Sequence, residues 1–296
     1  MVLRAASADG QVMGDHAKGV VIAAGGVLAL SFDAVLIRLA GAPVADIIFW
    51  RGWLIALAML LVWAALGRRP TVWSRSLLLG GFAAALLYAL AAGLFVASVS
   101  LTRAANTVVI LASSPFFAAL WSWLFLGERL RLRTGLAIAV AVAGVVMVFG
   151  GGLAAGSVLG DSLALLLAML AAGALTVLRA FPRVDRLLVT AASGALAGLL
   201  VIPWTDPWVL PAASYGWLAV MGLVQMPLAM LGTMTATRYL SAPEVSLFLL
   251  LETVLAPIWV WLAVGETVPP LTFYGGTVVL VAVAWHALSG WRGPER

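Results

Sequence analysis

The residues of this chain that could do chemistry are polar and charged side chains set inside long apolar runs. Each is costly to hold in hydrocarbon, so each is a functional candidate by default. Asp33 and Glu252 lie toward the middle of such runs. Either carboxylate could hold an ammonium group or take up and release a proton, which makes both coupling candidates. The competing reading for Asp33 is an ion pair with Arg38 or Arg51; for Glu252 it is a hydrogen bond to a neighbouring helix. Tyr88 offers a ring for stacking and a hydroxyl, or simply packs in the core. Gln225 stands two residues before Pro227, and a proline frees a backbone carbonyl one turn earlier that can face a cavity. Ser31, Ser113 and Ser114, with Asn106 and Thr176, are small polar candidates, although such groups commonly bond the preceding helical turn. Pro115 and Pro227 are candidate hinges, with a static kink as the alternative. Arg51 reads as structural, bonded to a carboxylate or to helix-end carbonyls.

Several chemistries are missing. The sequence has no G-x-x-x-x-G-K-[ST] loop, no H-E-x-x-H and no G-x-S-x-G. It has no cysteine, so it has no thiolate metal site and no disulfide, and its two histidines, His16 and His286, are far apart. Neither an enzyme nor a resident cofactor or metal is expected.

The elements that position these residues must be membrane helices. Hydrophobic residues make up 64% of the 296 positions and charged residues 10%. An ordinary soluble domain is about 45–50% apolar and about 25% charged; a water-soluble fold could not cover this much apolar surface, whereas a bilayer removes the need to cover it. Ten segments approach the roughly 20 apolar residues needed to cross hydrocarbon: 18–39, 45–66, 76–99, 104–126, 132–150, 158–178, 186–204, 213–236, 243–264 and 270–290. Residues 1–17 are a polar, loose N-terminus, and 291–296 a short tail. The first span is too long for a signal-peptide core and lacks a cleavage site, so it is read as retained. With the N-terminus in the cytoplasm, only Arg38, Arg51 and Arg103 of the 17 basic residues fall on the other side. That bias places both termini in the cytoplasm of a bacterial inner membrane. The net charge of +5 then reflects topology and contact with anionic lipid, not nucleic acid. The 13 tryptophans cluster toward span ends and read as an interfacial belt.

The pattern Trp-x-Trp-Leu-x-x-Gly-Glu occurs twice. Trp121, Trp123, Leu124, Gly127 and Glu128 return as Trp259, Trp261, Leu262, Gly265 and Glu266, 138 positions later. Gly19 and Arg38 likewise match Gly160 and Arg179. The chain therefore reads as two five-helix repeats, 18–150 and 151–290. Five is odd, so the second repeat is inverted relative to the first, with a pseudo-twofold axis in the membrane plane. Shared residues are scaffold candidates, and Glu128 and Glu266 are expected to accept backbone N–H groups at the start of the following helix. Polar residues that break the repeat are better substrate candidates, because a substrate is asymmetric. Gly135, Gly144, Gly275 and Gly276 suit close packing of helices five and ten, within the chain or in a homodimer.

This layout resembles the drug/metabolite transporter superfamily in its ten-helix EamA-type form. The resemblance rests on the doubled Leu-Phe-Leu-Gly-Glu128 and Leu-Ala-Val-Gly-Glu266 endings, with Arg51, Ser114-Pro115 and Glu252 in support. The family often has proline directly after that last glutamate. Here Thr253 follows it and the proline comes at 257, so whether helix nine bends where helix four does is a question for the structure. The resemblance implies an all-α secondary transporter working by alternating access through a central cavity between the repeats. A narrower likeness is to YddG-type bacterial exporters of aromatic and other neutral amino acids. It implies export of small neutral or zwitterionic metabolites, with Tyr88, Asp33, Ser31, Ser113, Ser114, Gln225 and Glu252 as substrate contacts. Efflux of lipophilic or cationic drugs is an alternative that would suit two carboxylates with few basic neighbours. A lipid scramblase or a non-transport membrane protein is the alternative from another class.

Overall fold

A computed structural model describes residues 2–67, 75–127, 132–155, 157–236, 239 and 242–291. The described residues are helical throughout their spans, with no strand among them. The reason is physical: hydrocarbon offers no hydrogen bonds, so backbone groups within it must be satisfied inside each segment. The helices are α1 (Val2–Ser31), α2 (Asp33–Ala40), α3 (Val44–Ala65), α4 (Arg75–Leu101), α5 (Ala104–Leu111), α6 (Ser114–Leu126) and α7 (Leu132–Ala155). They continue as α8 (Val158–Ala180), α9 (Arg186–Val201), α10 (Ala212–Ala219), α11 (Met226–Ala236), α12 (Ala242–Val264) and α13 (Pro270–Trp291). Among the described residues, 7 helices or helix pairs are long and apolar enough to cross a membrane. Three shorter apolar stretches, Gly135–Gly150, Leu251–Val264 and Pro270–Ala282, fall on the three remaining expected spans. Left-handed glycines end α2, α6 and α12 at Gly41, Gly127 and Gly265, a backbone position that side chains with a Cβ rarely adopt.

The packing obeys the repeat. Numbering the spans one to ten, span three (α4) packs on span six (α8), and span eight (α11) packs on span one (α1). Span four (α5 and α6) packs on α8, and span nine (α12) packs on α1 and α2. Exchanging each span with the one five places on turns each contact into the other. Spans two and seven (α3 and α9), and five and ten (α7 and α13), pair with each other. Such self-paired helices must lie on the axis, and small residues bring them together. A Cβ on Gly52 would collide with the Gly194 carbonyl and one on Gly194 with the Gly52 carbonyl; Gly144 and Gly275 stand in the same reciprocal relation. Gly275 and Gly144 are thus used within the chain, and Gly276 packs on Val109, while Gly135 meets open space.

Three helices depart from the symmetry. Span one is interrupted at Phe32, between α1 and α2, whereas its equivalent α8 is continuous. Span four is interrupted at Ala112–Ser113, whereas α12 runs unbroken through Pro257. Helix nine therefore does not break where helix four does. Pro115 sits in the first turn of α6 rather than inside a helix, where its missing N–H costs nothing. Span eight contains a π-helical segment, Val220–Gln225, directly before α11 and its Pro227, whereas α4 is regular. Such segments leave carbonyls and side chains aimed off the helical pattern and recur at functional sites.

Candidate functional site

The interruption at Phe32 places Ser31 and Asp33 on successive helix ends inside the protein. Arg51 of α3 donates from Nη2 to Asp33 Oδ2 at 2.6 Å. Asp33 and Arg51 are each only 4% exposed, so this is a buried ion pair. A single contact leaves the pair half satisfied: Asp33 Oδ1 and Arg51 Nε are buried without a partner. Gln225, from the π-helical segment, donates to the Ala29 carbonyl at 3.0 Å, and its own Oε1 is also buried and unpartnered. One donor and two acceptors, from spans one, two and eight, are thus held around one helix break. Buried polar atoms are rarely left open, and those that are ask for an explanation.

Arg51 of this pair lines a cavity of about 110 Å³. Arg51, Tyr88, Thr190 and Ser193 give it polar groups, and Ile48, Ile55, Met226 and Met230 are among its apolar walls. Tyr88 therefore shares a cavity with Arg51, and the Arg186 guanidinium lies within electrostatic reach of its hydroxyl. Glu252, on α12, lies within electrostatic reach of Asp33 and makes no hydrogen bond or ion pair with any described residue. Ser113, in the break of span four, donates to the Ile110 carbonyl of α5 at 2.5 Å, and Thr176 donates to the Ala172 carbonyl of its own helix at 3.0 Å, so both hydroxyls are satisfied locally. Ser114 opens α6 beside the break and is half-buried.

Tryptophan has a second role besides the belt. Trp204, Trp208, Trp123 and Trp261 are exposed, as a belt requires. Trp259 instead stacks on Phe32 at 4.8 Å between ring centroids and donates to Ser31 Oγ at 2.9 Å. Ser31 passes the bond on to the Leu28 carbonyl at 2.7 Å. In the other repeat, Trp121 donates at 3.0 Å to the carbonyl of Met169, the equivalent of Leu28. The first tryptophan of the doubled motif is therefore a tie from one repeat to the other. The doubling itself was the signal available in the sequence.

Call the side of the chain termini the near face and the opposite side the far face. The far face is closed by polar contacts. Arg38 donates to the Thr102 carbonyl at 2.8 Å and pairs with Glu266 at 2.8 Å. Glu266 also accepts the N–H of Ala104, at the start of α5, at 2.7 Å. The helix that follows Glu266 opens with Pro269 and Pro270, which have no N–H to give. The glutamate caps a helix of the other repeat instead. Glu128 lies outside the described residues. Arg103 donates to the Thr267 carbonyl at 2.6 Å. Beneath them the Thr102 hydroxyl and Asn106 amide donate to Asp161 at 2.6 and 3.0 Å, and Thr272 donates to Asn106 at 2.5 Å. Asp161, in the first turn of α8, is fully buried, although a carboxylate at that place in a sequence reads as an ordinary helix-start residue. No group of three or more potential metal ligands occurs among the described residues.

Two inverted helical repeats around a buried polar centre define a membrane transporter rather than an enzyme, and the chain belongs to the EamA-like transporter family, which matches residues 17–150 and 158–287. Among curated proteins it is similar to the pseudopaline exporter CntI of Pseudomonas aeruginosa strain UCBPP-PA14, with 30% identity over 285 residues, 92% of this chain and 95% of that one. The CntI protein of strain PAO1 matches over the same shares at 30% identity. One solved crystal structure superposes at a TM-score of 0.63 with 17% identity, covering 92% of this chain and 98% of its own, a likeness of fold alone.

Proposed function

We propose that the chain exports small zwitterionic metabolites, aromatic and other neutral amino acids among them, by alternating access. The observation that carries this reading is the half-satisfied Asp33–Arg51 pair. A zwitterion offers a carboxylate to the open Arg51 Nε and an ammonium to the open Asp33 Oδ1 and Gln225 Oε1. Neutral overall, it enters without leaving a net charge in the membrane. Tyr88 and the two methionines bound the cavity next to Arg51, where a side chain would lie; methionine adapts to varied shapes. Export as the direction follows the similar pseudopaline exporters. The uneven distribution of basic residues between the loops of the sequence supports cytoplasmic termini in a bacterial inner membrane. On that orientation this conformer is closed to the outside. Its 110 Å³ cavity is smaller than the roughly 300 Å³ at which ligand pockets begin, so loading requires further opening.

The test is flux of labelled phenylalanine and threonine into proteoliposomes, with and without a pH gradient. Selective flux, competed by other neutral amino acids, supports the proposal. A folded protein that carries neither solute above empty liposomes overturns it. Glu252, a carboxylate with no described partner, favours a second reading in which the solute is a lipophilic cation; resistance of a susceptible host to cationic drugs would then rise on expression.

A further inference from the structure

At the far face, outside the site already described, a cavity of about 380 Å³ lies between the α4–α5 connector and the α12–α13 loop. Arg38 and Arg103 both line it, with Glu266, Ser100, Asn106 and Ser157. Both guanidinium groups are incompletely used. Arg38 spends Nη2 on Thr102 and Glu266, and its Nε has no partner. Arg103 spends Nη1 on Thr267, and its Nε and Nη2 make no hydrogen bond with any described residue. A guanidinium edge with free N–H groups matches the fork of a carboxylate. The single acidic group on the lining is Glu266, which is already held by Arg38 and by the Ala104 N–H.

The same two arginines hold the face shut. Arg38 and Glu266 bind the α4–α5 connector from either side, through the Thr102 carbonyl and the Ala104 N–H, and Arg103 in that connector binds the loop that carries Glu266. Anything that takes Arg38 or Arg103 competes with a contact that closes the face.

We propose that this cavity is a second solute station, an exit vestibule that takes a carboxylate on Arg38 and Arg103 in place of Glu266 and Thr267. The proposal rests on the reading that the solute carries a carboxylate. Arrival there both binds the solute and releases the closure, so departure is tied to opening of the far face.

The chain has no cysteine, so a single introduced thiol is its only one. Ser100→Cys places it on the vestibule wall, and Ser157→Cys, at the start of α8 on the same lining, serves if the first variant does not fold. The probe is a membrane-impermeant thiol reagent, added to each face of sealed vesicles in turn. Phenylalanine and 3-phenylpropanoate are expected to slow far-face labelling several-fold, phenylalaninamide is not, and Arg103→Gln is expected to remove the protection. Equal protection by the amide, or none by either carboxylate, overturns the vestibule. Flux of phenylalanine through the same variants is read separately. Flux without protection rejects the vestibule and leaves the transport reading standing; protection by 3-phenylpropanoate without amino-acid flux does the reverse.

Discussion

Trp259 reaches Ser31 across the boundary between the repeats, its indole N–H donating to the serine hydroxyl at 2.9 Å while its ring stacks on Phe32. Seven residues further along each segment, Arg38 of α2 meets Glu266, two residues past the end of α12. Span nine therefore follows span one from the helix break to the far face. The tie at Trp259 lies where span one is broken; its counterpart Trp121 holds the unbroken α8.

Replacing either tryptophan by phenylalanine removes one hydrogen bond of about 0.5–1.5 kcal/mol and leaves an acceptor less satisfied. Both variants are expected to melt at slightly lower temperature in detergent. Only Trp259→Phe is expected to change the solute flux, because only that tie touches a helix break. Equal flux changes in both variants would show that the break has no special part in transport.

Removing one member of a buried ion pair strands the other, at a cost of about 3–5 kcal/mol. Arg51→Ala is therefore expected to lower thermal stability sharply, and Asp33→Asn, which keeps shape and one acceptor, less so. The double variant Asp33→Asn with Arg51→Gln is expected to regain stability relative to Arg51→Ala without regaining flux. Full flux in the double variant would remove the pair from solute recognition.

Helix spacing on the axis can be tested at Gly52 and Gly144. Each faces a backbone carbonyl across the axis that any side chain would strike. Gly52→Val and Gly144→Val are expected to destabilise by about 1–3 kcal/mol as overpacked contacts, read as a fall in melting temperature. Gly135→Val, which meets open space, serves as the control in the same measurement.

Coupling is tested by Asp33→Asn and Glu252→Gln, with flux measured across a series of pH gradients. Loss of the gradient's effect in one variant names the coupling carboxylate. Unchanged flux and unchanged pH dependence in both would refute a coupling role for either.

Much of the architecture was legible because bilayer thickness and the doubled Trp-x-Trp motif are written in sequence order. The ten spans and the repeat follow from those two facts, and the observed packing has the exchange symmetry they require. The site was less legible. Asp33, Arg51 and Gln225 stand out singly as polar residues in apolar runs, but their meeting depends on a break at Phe32 that no proline or glycine announces. Pro115 pointed at a real interruption and was displaced from it by two residues, since a proline begins helices more readily than it sits within them. Trp121 and Trp259 look like belt residues because span ends are also where the repeats meet. Asp161 sits in the first turn of α8, where a carboxylate ordinarily caps a helix, and its part in the far-face network needs Thr102 and Asn106 folded back onto it.

If the two repeats were identical, a conformer closed at the far face and one closed at the near face would be related by the twofold rotation and equal in free energy. The interruptions at Phe32 and Ala112–Ser113 and the π-helical turn at Val220–Gln225 each occur in one repeat only. Bending at one face therefore draws on different joints from bending at the other. If the chain works by the alternating access proposed above, its joints are unlike at the two faces, and a preference for one resting state would then be a property of the chain even where solute concentrations on the two sides are equal.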